Sequence, residues 1–102
     1  MDLGLADKRA LVTGSSSGIG AGIARLLAAE GCAVIVHGRD AEKARAVADS
    51  IGRGVCVAIG DLSTDAGADA VAKAVGEVDI LVNNAGGAGV GPWGRTGIRP
   101  RI

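Results

Sequence analysis

The residues best suited to chemistry lie near the start of the chain, in Ala10-Leu11-Val12-Thr13-Gly14-Ser15-Ser16-Ser17-Gly18-Ile19-Gly20. A short apolar run breaks there into a loop of small residues and resumes in helical rhythm, with Ile19, Ile23, Leu26 and Leu27 at i, i+4, i+7 and i+8. Such a strand, loop and helix can cradle a diphosphate. Gly14 permits a sharp turn out of the strand, and Gly18 leaves no side chain where an anion must touch backbone. Gly20 lets the helix lie close on the sheet. The helix start then offers free N–H groups and the positive end of its dipole, joined by the hydroxyls of Ser15, Ser16 and Ser17. Only three residues separate Gly14 from Gly18 and no lysine follows, so this is not the ATP-type loop.

Two more polar groups follow apolar runs in the same way. Asp61-Leu62 comes after Val55-Cys56-Val57-Ala58-Ile59, and Asn83-Asn84-Ala85-Gly86 after Val78-Asp79-Ile80-Leu81-Val82. Candidates for proton transfer are few. The chain has no tyrosine, its lysines are Lys8, Lys43 and Lys73, and His37 is its one histidine. Cys32 and Cys56 lack C-x-x-C spacing and read as two buried, reduced thiols. No metal site is expected.

These groups need a scaffold, and the pattern supplies one. Strands are expected at about 9–13, 32–38, 55–60 and 79–83, with helices at about 19–30, 41–51 and 64–75 between them. Glycines 31, 52 and 76 end the helices; Asp40 and Ser63 or Thr64 begin the second and third. The second helix puts Ala44, Val47, Ala48 and Ile51 on one stripe and the third Ala68, Val71, Ala72 and Val75, leaving Glu42, Lys43, Arg45, Asp69 and Lys73 to water. Strand–helix alternation implies a parallel sheet with right-handed crossovers. The fold class expected is therefore α/β, a Rossmann-like doubly wound sheet truncated to about four strands in the order 3-2-1-4, spanning residues 1–86. Residues 87–102 change texture to glycine, proline and arginine with no acid, and read as a tail, a truncation or a frameshift remnant. Eleven basic and eleven acidic side chains balance, which argues against nucleic acid or an anionic membrane as partner. No apolar run approaches the roughly 20 residues that span a bilayer, and the N-terminus is unlike a secretion signal, so a cytoplasmic location is expected.

Thr13-Gly14-x-x-x-Gly18-x-Gly20, Asp61-Leu62 and Asn83-Asn84-Ala85-Gly86, in this order and spacing, resemble the short-chain dehydrogenase/reductase family over about residues 5–93. Oxoacyl-thioester reductases are among the members it looks most like. The resemblance implies an NAD(P)-dependent oxidoreductase that moves a hydride between a carbonyl and an alcohol, represented here by its N-terminal, cofactor-binding half. It implies that Gly14, Ser15, Ser16, Ser17, Gly18, Ile19 and Gly20 line the phosphates, and that Asp61 and Leu62 face the adenine. Asn84, Ala85 and Gly86 would contact the ribose on the nicotinamide side, with Thr13 bonded to that backbone and Asn83 structural. Asp61 also suits a helix-entry role. Family members oligomerise through elements that this sequence does not contain. Their proton donor is a tyrosine with a lysine four residues on, and no such pair occurs here, so no catalytic residue is assigned and the chain alone is expected to be inactive. His37 reads as a strand-end residue on the adenosine side.

In this fold the residue ending the second strand reads the adenosine ribose, and an acid there selects NAD. Here that residue is Gly38, followed by Arg39, whose fork suits a 2′-phosphate. NADP is therefore expected over NAD, although Asp40 sets an opposing charge beside Arg39. The alternatives are a non-enzymatic dinucleotide-binding or interaction module, or an inert remnant whose fourth strand is an uncovered edge.

Overall fold

Apolar runs too short for helices alternate with amphipathic stretches long enough for them, and the chain folds accordingly. The computed structural model describes residues 6–52 and 54–84. In order these form β1 (Arg9–Val12), α1 (Gly18–Ala29), β2 (Ala33–Gly38), α2 (Ala41–Ile51), β3 (Cys56–Ile59), α3 (Asp65–Val75) and β4 (Ile80–Val82). The four strands make one parallel sheet, β3-β2-β1-β4, as the alternation predicts. The expected boundary at residue 86 and the tail 87–102 lie outside the described residues.

Side chains alternate across the sheet and divide the core in two. Ala10, Val12, Val34 and Val36 face α1 and α2, meeting Ala21, Ala24, Ala28, Ala44, Val47 and Ala48. Leu11, Ile35 and Ala58 face α3 and meet Ala68, Val71 and Val75. Helices thus cover both faces, the doubly wound arrangement in which every βα connection delivers its loop to the same edge of the sheet. β1, fully buried from Ala10 to Val12 and paired on both sides, is the centre of that edge.

The structure corrects two details. On α1 the buried positions are Gly20, Ala21, Ala24 and Ala28, while Ile19 and Leu26 are 77% and 69% exposed. The helix approaches the sheet so closely that only glycine and alanine fit beneath it, and Ile23 and Leu27 pack at the flanks. Cys32 is buried as expected, but Cys56 is exposed, because it opens the edge strand β3. Burial pushes the Cys32 thiol above its ordinary range, with Glu30 adding to the rise.

Candidate functional site

The loop between β1 and α1 takes its shape from two glycines. Gly14 and Gly18 have φ of 64° and 60°, the left-handed region that side chains disfavour. Space around the Gly18 Cβ position is open to 4 Å, so a ligand can reach its backbone. At Gly20 a Cβ would overlap the Gly14 carbonyl oxygen and stand 2.9 Å from Ser15 Cα, which explains how closely α1 returns onto the loop.

The helix end that faces this loop is unlike the other two. Asp40 accepts from Glu42 and Lys43 N–H at the start of α2, and Thr64 Oγ1 accepts from Gly67 N–H at the start of α3. Ser17, the cap residue of α1, makes no side-chain cap bond, and the first turn holds no acid. A helix start with neither a side-chain cap from Ser17 nor an acid in its first turn suits an anion. The three loop serines divide their work. Ser15 is fully buried, its N–H donating to the His37 carbonyl at 2.8 Å and its Oγ accepting from His37 N–H at 2.8 Å. The Ser15 hydroxyl therefore docks the loop to β2. Ser16 is half-buried and Ser17 exposed, the two less enclosed of the three.

The His37 ring completes the docking. It is 3% exposed, Nδ1 accepts from Gly14 N–H at 2.9 Å, and Nε2 lies 2.8 Å from the Gly60 carbonyl oxygen. Burial holds its pKa below the ordinary imidazole value, against the opposing influences of the Gly60 bond and the Asp61 carboxylate. His37 stands near the end of β2, as expected, and its brace has no local mark in the sequence, since both ring partners lie 23 residues away along the chain.

Across β1, the fourth strand is tied to the same loop. Thr13 N–H donates to the Val82 carbonyl, and Thr13 Oγ1 accepts from Asn84 N–H at 2.9 Å. Asn84 Nδ2 donates to the Gly14 carbonyl at 3.2 Å. The bond from Thr13 to the asparagine backbone is thus present. Ala85 and Gly86 lie outside the described residues.

At the ends of β2 and β3, a Cβ on Gly38 would meet Ser16 Cβ and Oγ, each at 2.8 Å. Ser16 occupies the place of a side chain at position 38. Arg39 beside it is exposed. Asp61 folds into the turn before α3, with Oδ1 accepting from Ser63 N–H at 2.9 Å and from Ser63 Oγ at 2.6 Å. The Ser63 bonds, and then the Arg39 and His37 charges, hold the Asp61 carboxyl below its ordinary range. Leu62 is 6% exposed and packs into the core with α3, so its side chain is largely committed to the fold. Among the described residues no cluster could hold a metal ion, and no helix is long and apolar enough to cross a membrane.

The loop after β1, the ends of β2 and β3 and Asn84 after β4 converge on one edge of the sheet. The profile of the short chain dehydrogenase family matches residues 8–97. The chain belongs to that family. Its relatives among the short chain dehydrogenases include D-threitol dehydrogenase of Mycolicibacterium smegmatis, 44% identical over 98 residues, which cover 89% of this chain and 38% of the relative. An uncharacterized oxidoreductase of Bacillus subtilis, YvaG, is 47% identical over 91 residues, covering 84% of this chain and 34% of the relative. Among solved structures, L-sorbose reductase from Gluconobacter frateurii, in complex with NADPH and L-sorbose, superposes with a TM-score of 0.78 at 42% identity, over 85% of this chain and 36% of that one. 3-Ketoacyl-(acyl-carrier-protein) reductase from Brucella melitensis, complexed with NADH, gives 0.71 at 40% identity, over 76% of this chain and 33% of that one. This short chain dehydrogenase chain spans about a third of the length of the relatives it matches. The family binds NAD or NADP, and the relatives solved include a complex with each.

Proposed function

We propose that this chain binds NADP(H) at the carboxyl edge of its sheet and is the cofactor-binding part of an oxidoreductase for a carbonyl/alcohol pair. Gly14, Gly18, Ile19 and Gly20 with Ser16 and Ser17 would hold the diphosphate, through the backbone N–H groups of a helix start that no side chain caps. Ser15 contributes by fixing the loop rather than by touching the ligand. Asp61 would meet the adenine edge. Asn84, with Ala85 and Gly86, would contact the ribose nearer the nicotinamide. Bound there, the nicotinamide would supply or accept a hydride.

The observation that carries the choice of NADP is the contact between Gly38 and Ser16. A carboxylate at position 38 would take both ribose hydroxyls of NAD and repel an added phosphate. Ser16 stands 2.8 Å from where such a side chain would begin. The rim is left with Arg39, an exposed guanidinium whose planar fork matches a 2′-phosphate. The Asp61 carboxylate is engaged by Ser63, which leaves the Arg39 guanidinium available at that rim.

The acid that accompanies hydride transfer is a separate requirement. These 102 residues hold no tyrosine, and the one histidine has both ring nitrogens engaged in the fold. The chain by itself should therefore bind cofactor without turning over carbonyl substrates. Dinucleotide binding is tested by calorimetric titration of the full chain with NADP+, beside Gly18→Val. The variant should lose binding, because valine strains a φ of 60° and fills the space kept open for the ligand. Unchanged affinity in a folded Gly18→Val chain would show that the loop is only a turn.

A further inference from the structure

We infer that His37 is a positioning residue for the glycine loop: its neutral ring pins the Gly14 N–H to the turn after β3, and protonating it releases the loop and its dinucleotide. The inference rests on the reading of the loop as a dinucleotide site and adds to it the group that sets the loop's shape.

The hydrogen bonds dictate the state of the ring. Gly14 N–H can only donate, so Nδ1, 2.9 Å away, must carry a lone pair. The Gly60 carbonyl can only accept, so Nε2, at 2.8 Å, must carry the proton. Both neighbours demand the same neutral tautomer, at a site 3% exposed where no water can substitute freely. A second proton, placed on Nδ1, would set one N–H against another at 2.9 Å. Gly14 would have to leave, and Gly14 is where the loop turns with its φ of 64°. Ser15, next along, is bonded to the His37 backbone and not to its ring, so the ring's protonation acts on Gly14 first.

The charges around the ring come from three sides. Asp61, in the turn after β3, favours the imidazolium. Arg39, in the turn after β2, acts on Asp61 and helps to hold its carboxyl below the ordinary range. The glycine loop brings no charged side chain, and the start of α1 presents its positive dipole end. Burial outweighs Asp61, so the ring stays neutral at lower pH than a free histidine.

Two measurements on the full chain test this. Long-range nitrogen–proton NMR should show His37 as the neutral form protonated on Nε2 at about pH 8, with the Gly14 amide resonance following the ring's titration at lower pH. A ring protonated on Nδ1, or a Gly14 amide indifferent to the titration, overturns the inference. The second is NADP+ titration of the wild type, His37→Asn and His37→Leu between about pH 5 and pH 8. Asparagine Oδ1 stands where Nδ1 stood and accepts from Gly14 without titrating. At the upper pH, His37→Asn should bind within about threefold of the wild type and His37→Leu about tenfold more weakly. On acidification the wild type should lose affinity relative to His37→Asn, a ratio from which titration of the ligand's own phosphate cancels. A ratio that stays flat, or an Asn variant as weak as the Leu one, overturns the inference. A wild type that binds no dinucleotide at any pH overturns the binding reading instead, and the NMR titration still decides whether the brace exists.

Discussion

Gly20 and Gly22 are two residues apart on α1 and carry opposite meanings. A Cβ at position 20 would run into the Gly14 carbonyl oxygen and the Asn84 side chain, which are hydrogen-bonded to each other. At position 22 it would meet nothing within 4 Å. Gly20→Ala should therefore destabilise the fold by about 1–3 kcal/mol, as an overpacked contact does. Gly22→Ala should stabilise it by about 0.5–1 kcal/mol, the cost of glycine in a helix interior. Urea unfolding of the two variants reads both, and equal effects of one sign would contradict the packing described for α1. The cysteines divide in the same manner. Exposed Cys56 should react with a thiol reagent well before Cys32, whose thiol is buried and raised in pKa.

At the scale of elements, the three helix starts form an internal comparison. Asp40 and Thr64 each bond first-turn N–H groups, and Ser17 bonds none. Replacing Asp40 or Thr64 with alanine should cost about 1 kcal/mol apiece, while Ser17→Ala should change stability little. A large loss at Ser17 would mean that α1 is capped for its own sake and not left open to an anion. The positions of α2 and α3 were legible in the sequence because each is marked twice, by an apolar period and by capping residues. Asp40 opens α2, Thr64 opens α3, and Gly52 and Gly76 close them through N–H bonds to Ala48 and Ala72. The face of α1 was less legible. Aliphatic spacing pointed to Ile19 and Leu26, whereas close approach to the sheet selects Gly20, Ala21 and Ala24, and a period in hydrophobicity cannot register that small residues are the buried ones. The glycine loop was read from its own residues. Its supports were not, because Ser15 to His37, His37 to Gly60 and Gly38 to Ser16 join residues some twenty positions apart on different strands.

For the whole molecule, four strand ends, the glycine loop and two turns hold one another at a single edge, so acid should loosen binding and fold together. His37 has a lowered pKa, and its contribution is complete above the ordinary value of 6.5 and lost as pH falls through the folded value. Asp61 is also lowered, from 3.8, and its contribution is present above that value and lost as pH falls further. The urea midpoint should accordingly decline in two stages on acidification, and His37→Asn should remove the first. A variant that keeps the first stage would place that titration elsewhere. The central claim concerns the rim formed by Ser16, Gly38 and Arg39, and calorimetric titration of the full chain with NADP+ and with NAD+, in the wild type and in Arg39→Ala, tests it most directly. The wild type should prefer NADP+, and Arg39→Ala should weaken NADP+ by about 1.5–3 kcal/mol, the worth of a charge-assisted bond, while leaving NAD+ nearly unchanged. Equal affinities for the two dinucleotides in the wild type, or equal losses for both in Arg39→Ala, would contradict it.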